Sequence, residues 1–501
     1  MLVALGRAPR AVRTGPGARY RHAPAMPAGT ARRKELMVKR WSTSLLALGA
    51  VTALLGACAQ EADGDLLIGA PGGGGQQTGP VASDDPEAVV EAAIADITEF
   101  WRTEFPDVYG GEFEELAGFY PYGPDTEPPP CGSPPPDYDQ IADNAFYCPS
   151  DDIIAWDAST LIPELNEQFG SFVVAIVMAH EFGHAIQARA GAVDRSVDLE
   201  LQADCFAGAW TARVQAGDAT GFSPDDVELD EAVAGIIAVR DAPGTSADDP
   251  VAHGSGFDRV SAFQDGNQQG AESCAPYADE TVDRTSTELV FTDQDFETGG
   301  NLHLDDQPGE EGLLTLAETD LNEFYGWLFD ELGQDWSPVV DLVMVDPARD
   351  EVECGGDHLS GRELEGIAVY CQAENIVVVD RPGLIEDLNT IGDFAVASEL
   401  GQLWALDAQA QLGVDGADDA DLQADCLTGV WAASTFPGVE DVTPDSQLQI
   451  SAGDLDEAII GFLQFGGAID GEGRSAFGRT EALRTGVFDG YVGCEDYGPL
   501  E

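Results

Sequence analysis

The chain has 501 residues, 44% of them hydrophobic, and sets 92 acidic against 23 basic side chains, for a formal net charge of −69. That imbalance argues against nucleic acid and anionic lipid surfaces as electrostatic partners, and it implies strong self-repulsion at low salt. The length is ample for two domains, each with its own core.

Residues 1–36 are rich in Arg and Ala and read as upstream translated sequence or a mis-set start. Met37-Val-Lys-Arg40 then opens a signal peptide whose apolar stretch is Leu45–Leu55. This stretch is shorter than the roughly 20 residues of a membrane span. It runs into Leu55-Gly-Ala-Cys58, which resembles a bacterial lipobox, so cleavage before Cys58 and lipid attachment to it are expected. Residues 58–85, with Gly72-Gly-Gly-Gly75, read as a flexible tether. No later segment is expected to span a membrane. From Cys58 onward, 13 basic residues face 91 acidic ones, a net charge of −78, and lysine is absent. Such a chain suits a saline environment in which salt screens the repulsion. These readings place the protein outside the cytoplasm, anchored to the bacterial cell membrane through lipid on Cys58.

A helix is expected over 86–105, with Asp84, Asp85 and Pro86 as its start signal. A short strand follows at Ile153–Trp156, and helices at 171–190, 196–215, 227–240 and 256–268. The first of these four carries His180-Glu-Phe-Gly-His184. Residues four apart share a helix face, so the two imidazoles can meet at one metal ion. The apolar run Phe172–Ala179 buries the helix, and buried imidazoles and a carboxylate with no partner would cost on the order of several kcal/mol. Glu200, on the next helix, supplies a third ligand and leaves a fourth position for water, the arrangement of catalytic zinc. Glu181 then serves as general base toward that water. Asp204, four residues after Glu200 on the same face, is placed to accept the outer N–H of a ligand histidine. Gly183 costs about 1 kcal/mol of helix stability relative to alanine, so it is expected where another element or substrate approaches closely.

Taken together, His180-Glu-Phe-Gly-His-Ala-Ile-Gln187, Glu200-Leu-Gln-Ala-Asp-Cys205 and His253-Gly-Ser-Gly-Phe-Asp-Arg259 resemble the bacterial neutral zinc metallopeptidases of the gluzincin kind. Phe146-Tyr-Cys-Pro149, ahead of Ile153-Ile-Ala-Trp-Asp157, is similar too, and the resemblance covers residues 86–277. It implies one Zn2+ per chain held by His180, His184 and Glu200, with Glu181 as the catalytic base. It also implies a mostly helical fold with a small sheet, acting on peptide or protein substrates. His253 falls in a motif of that family and is assigned as a catalytic hydrogen-bond donor to the transition state.

The second half repeats the first. Cys131 and Cys148 are 17 apart, as are Cys354 and Cys371, while Cys205 and Cys274 are 69 apart and Cys426 and Cys494 are 68 apart. Leu201-Gln-Ala-Asp-Cys205 recurs as Leu422-Gln-Ala-Asp-Cys426, and Leu229-Asp-Glu-Ala232 as Leu455-Asp-Glu-Ala458. Aligning Gly170 with Gly392 sets Gln402 at His180, Leu403 at Glu181 and Leu406 at His184. Asp421 falls at Glu200, and Gly473 at His253. The second copy is therefore expected to hold no catalytic zinc, and to act as a rigid platform or only to stabilise the chain. With Cys58 set apart, four cysteines remain per repeat. Outside the cytoplasm they are expected as the disulfides Cys131–Cys148, Cys205–Cys274, Cys354–Cys371 and Cys426–Cys494.

The expected organisation is thus a leader (1–57), a tether (58–85), a zinc metallopeptidase domain (86–290), an acidic connector (291–311) and a degenerate pseudo-peptidase repeat (312–501). The fold class is α+β, mainly helical. The expected activity is metal-activated hydrolysis of peptide bonds. The competing expectation is a non-catalytic envelope scaffold or binding lipoprotein of the same fold. An intact Glu181 argues against the scaffold, because a closed structural zinc site has no use for a general base. The oligomeric state is left open.

Overall fold

The computed structural model describes residues 85–191, 197–219, 221–246, 252–278, 287, 289, 291–292, 294–414, 419–436, 446, 448–465 and 475–500. The leader, Cys58, nearly all of the tether and Gly473 lie outside the described residues. Helix α1 (Pro86–Tyr109) starts where the Asp85 carboxylate accepts the Glu87 N–H and Pro86 takes the first helical position. Its buried stripe, including Val89, Ala93, Ile97, Phe100 and Trp101, recurs at helical spacing. The helix continues through Pro106 past its expected end, holding Phe105 in the core, and stops at Gly110.

Strands β1 (Gly118–Tyr122), β2 (Ala145–Cys148) and β3 (Ile153–Asp157) form a sheet in the order β1-β3-β2. β1 runs parallel to β3 and β2 antiparallel to it. Central β3 is buried along its whole length, which is why Ile153-Ile-Ala-Trp156 reads as an unbroken apolar run. Helices α2 (Leu161–Phe169), α3 (Ser171–Ala190), α4 (Val197–Gln215), α5 (Asp226–Ala238), α6 (Gly256–Gln269) and α7 (Ala271–Cys274) follow. Contrary to expectation, α3 is long and apolar enough by length and composition to cross a membrane. It is instead packed inside the molecule, and a helix buried nearly all round is apolar nearly all round. Helices α4 and α6 cross closely. Gly208 faces the Phe263 carbonyl and Gly266 faces the Cys205 carbonyl, and a Cβ at either would overlap that backbone.

The expected connector contains a short helix, α8 (Asp295–Thr298). Beyond it come α9 (Leu313–Leu332), β4 (Asp341–Val345), the hairpin β5 (Glu351–Cys354) and β6 (Asp357–Ser360), β7 (Ala368–Cys371) and β8 (Ile376–Asp380). Helices α10 (Glu386–Asn389), α11 (Asp393–Leu412), α12 (Ala420–Ser434), α13 (Asp454–Phe465) and α14 (Ala476–Gly493) complete the chain. The sheet order β4-β8-β7, with β4 parallel and β7 antiparallel to β8, matches that of the first half. The Trp431 indole donates to Asp320 at 2.8 Å, as Trp210 donates to Asp96 at 2.9 Å. All four expected disulfides are formed: Cys131–Cys148, Cys205–Cys274, Cys354–Cys371 and Cys426–Cys494. The class is α+β and mainly helical, as expected. The described residues belong to one compact unit, and a shared core runs between the halves. Phe257 and Phe263 of α6 meet Phe488 and Phe477 of α14, with ring centroids 5.7 and 6.3 Å apart.

Candidate metal centre

Helix α3 carries His180, Glu181 and His184 into the interior, and α4 brings Glu200 and Asp204 against them. Gly183 makes this approach possible. A Cβ there would sit 2.7 Å from the Ala203 Cα, so the close neighbour is α4. The Glu200 Oε2 lies 3.4 Å from His180 Nε2 and 3.5 Å from His184 Nε2. The three ligand atoms lie within 4.8 Å of one another. These separations are long for hydrogen bonds, and Glu200 Oε2 is buried without a hydrogen-bond partner. They suit a shared cation, since two ligands about 2.0–2.1 Å from tetrahedral zinc lie about 3.3 Å apart.

Both imidazoles are oriented from behind. His180 Nδ1 donates to Asp204 Oδ1 at 2.8 Å, and His184 Nδ1 donates to Gln187 Oε1 at 3.0 Å. The Gln187 amide nitrogen is committed to the Leu199 carbonyl, so its oxygen must face His184. Each arrangement leaves the Nε2 lone pair directed at the cluster. Asp204 is itself clamped by Arg259, whose Nε and Nη2 donate to it at 2.8 and 3.1 Å. The Arg259 Nη1 donates to the Val239 carbonyl at 2.8 Å, at the end of α5.

The electrostatics favour added positive charge. Burial opposes charging of His180, but Asp204 and Glu200 outweigh it and hold the imidazole pKa up at about 10. Burial likewise opposes ionisation of Glu200, yet His184 and His180 hold it well below the usual carboxylate range. Asp204 is held down against burial by Arg259 and His180. Glu181 goes the other way. Burial pushes it up, against the pull of His184 and His180. Its Oε2 is buried with no hydrogen-bond partner. Two orphaned carboxylate oxygens beside two inward lone pairs fit a bound cation.

His253 sits on the loop before α6, where its backbone N–H and Nδ1 engage Asp241 at 2.6 and 3.3 Å. It is not a member of the His180–His184–Glu200 cluster. Its loop borders a cavity of about 430 Å³ at the junction of the two halves, lined by Asp241, Pro243, Gly254, Asp258, Leu455 and Asp456. No cluster residue lines that cavity. Gln187 and Arg259 stand inside the quoted motifs but have no role in the sequence reading. Gln187, three residues after His184, was detectable from helix spacing alone.

In the second half, Gln402 Nε2 donates to Asp425 at 2.9 Å. Arg479 donates to Asp425 at 3.0 and 2.9 Å and to Gln402 Oε1 at 3.2 Å. Leu403 is buried on the same helix.

Two imidazoles and a carboxylate on facing helices, with a second buried carboxylate in the same helix as the imidazoles, form a donor set that suits a divalent metal ion. Residues 73–277 match the family model described as "Putative neutral zinc metallopeptidase". The chain is similar to an uncharacterized protein of Mycobacterium tuberculosis, 31% identical over 151 residues, 25% of this chain and 52% of the relative. It is also similar to the uncharacterized protein YpfJ of Escherichia coli, 27% identical over 232 residues, 41% of this chain and 76% of the relative. The chain thus spans about half the length of the mycobacterial relative. No solved structure gives a significant match.

Proposed function

We propose that the chain is a zinc-dependent peptidase with one reaction centre, in its first half. The supporting observation is the convergence of His180, His184 and Glu200 on one point, with the buried, unpartnered Glu181 Oε2 in the same half. A zinc ion held there supplies Lewis acidity to a scissile carbonyl and to the attacking water. Asp204 and Gln187 fix the imidazoles with Nε2 inward, and Glu200 contributes a negative ligand. Glu181, raised by burial, takes the proton from water and delivers it to the leaving amine, work for which a raised carboxylate pKa is suited. His253 is proposed as a further hydrogen-bond donor toward bound substrate. We assign the second half as a degenerate copy of the first, and the site of action as the cell envelope, with lipid on Cys58. The acidic surface favours basic peptides as substrates.

The competing reading is a non-catalytic scaffold. It is favoured by the second half, where Gln402 satisfies Asp425 and Arg479 and the same elements form without the ligand set. Metal content of the full chain, purified in high salt without chelator, separates the two. About one zinc per chain, with hydrolysis in a peptide library, supports the peptidase, and Glu181→Gln should keep the zinc and abolish turnover. No metal after zinc is offered, or full activity in that variant, rejects the mechanism. Two zinc ions per chain would overturn the assignment of the second half.

A further inference from the structure

The two halves meet through a reciprocal pair of contacts. Asp456, in the first turn of α13, accepts the opening backbone amides of α6: Phe257 N–H at 2.7 Å and Gly256 N–H at 3.1 Å. In mirror fashion Asp230 of α5 accepts the Phe477 N–H of α14 at 2.8 Å. Both aspartates occupy the same position in the repeated Leu-Asp-Glu-Ala text. Helix N-termini leave their first amides unpaired and carry partial positive charge, so a buried carboxylate there fixes the end of the helix firmly. Asp456 is additionally paired with Arg240 of the first half at 2.9 Å.

The contacts are alike, but what lies behind them differs. In the turn beyond the capped amides, α6 carries Arg259 and α14 carries Arg479. Arg259 clamps Asp204, and Asp204 orients His180, a member of the metal cluster. Arg479 clamps Asp425, which holds Gln402, where the first half has His180. The middle and far end of α6 are fastened within the first half by the close crossing with α4 and the Cys205–Cys274 disulfide just beyond, and from the second half by the Phe477 carbonyl, which accepts from Gln264, and by Arg484, which pairs with Asp265. The N-terminal turn, where Arg259 sits, is held from both halves: the Ser255 hydroxyl and the Val239 carbonyl fasten it from the first, and Asp456 takes its opening amides from the second. We infer that Asp456 is a positioning residue for the metal centre, supplied by the second half and acting through α6, Arg259, Asp204 and His180. The second half thereby completes the site of the first. This inference rests on the zinc reading above.

The test uses the full chain with Asp456→Ala, the milder Asp456→Asn, which keeps one acceptor, and the mirror variant Asp230→Ala. Zinc affinity is read by competition with a chromophoric chelator, the visible spectrum of the Co2+-loaded protein reports coordination geometry, and thermal midpoints report folding. Losing a group that orients a metal ligand typically weakens binding 10- to 100-fold. One link further out, Asp456→Ala should weaken zinc binding by about 3- to 30-fold and alter the cobalt bands, with Asp456→Asn intermediate. Asp230→Ala should lower the thermal midpoint comparably yet leave zinc affinity within about twofold of wild type. Wild-type affinity and cobalt spectrum in both Asp456 variants would overturn the inference alone. So would equal weakening in Asp230→Ala, which would mark a general effect of destabilisation. A wild-type chain that takes up neither metal overturns the zinc reading and this inference with it.

Discussion

Asp204→Ala tests the clamp behind the candidate metal centre. The Asp204 and Arg259 side chains are only 4% and 5% exposed, and two charged hydrogen bonds join them. Removing the carboxylate leaves a guanidinium uncompensated in the interior, which costs about 3–5 kcal/mol. Because His180 also loses its acceptor, zinc affinity should fall by about 10- to 100-fold. The second half offers an internal control. Asp425 and Arg479 are as deeply buried, and each arginine keeps a second partner (Gln402 for Arg479, the Val239 carbonyl for Arg259), so Asp425→Ala should destabilise the chain to a similar extent. It should leave zinc binding unchanged. Replacing both Asp204 and Arg259 with leucine removes the buried charges together, so it should recover most of the stability while the zinc defect persists. Urea unfolding at fixed high salt, in metal-free buffer, measures the first quantity, and chelator competition the second. A cost below about 1 kcal/mol for Asp204→Ala would refute the clamp. Equal loss of zinc affinity in the Asp204 and Asp425 variants would refute its specific tie to His180.

Two further outcomes follow from charge. With a net charge of −69, the chain should melt at a markedly higher temperature in molar salt than in dilute buffer, and an unchanged midpoint would reject self-repulsion as a significant term. Burial pushes Glu399 from 4.5 up to about 7, with Arg479 pulling it down and Asp425 adding to the rise. Between those values the folded chain holds a proton that the unfolded chain has released. The stability is therefore intact below pH 4.5, falls as pH rises to about 7, and is level beyond. The effect is on the order of 3 kcal/mol, so Glu399→Gln should gain up to that much on wild type between pH 4.5 and pH 8 in urea unfolding. Parallel pH profiles for the two proteins would refute it. Asp393, raised to about 6 by burial, and Asp454 and Glu457, raised as well, act with the same sign.

The ligand set was legible because it obeys local geometry. Two histidines four apart and a carboxylate one helix later need only helical periodicity to converge, and the apolar run before them announces burial. The clamp was less visible, although a signal for Arg259 existed. Between His253–Arg259 and Gly473–Arg479 the serine, phenylalanine and arginine persist while the histidine is lost, in a chain with only 13 basic residues after residue 57. Strand β1 was hidden by composition. Gly118 and Pro121 spoil a strand pattern, and they are tolerated because β1 is a sheet edge. The hold of Asp456 on α6 was out of reach for a different reason. Its partners lie 199 and 200 residues away, and no local pattern encodes a contact between two faces that only folding brings together.

The same chain also shows what the first half bears for keeping its ligands. Glu181 Oε2 and Glu200 Oε2 are buried without hydrogen-bond partners, a cost of about 1–3 kcal/mol each when nothing is bound. In the proposed copy the corresponding positions carry no such groups. Leu403 stands buried for Glu181, and Asp421, for Glu200, is only half-buried. Gln402 reproduces the hydrogen bond of His180 to its aspartate, 2.9 Å against 2.8 Å, and its oxygen also accepts from Arg479. An amide thus satisfies the buried aspartate–arginine pair. Folding alone therefore does not require two imidazoles and two carboxylates at this place. A cation held by His180, His184 and Glu200, as proposed, would offset the cost of the two orphaned oxygens in the first half.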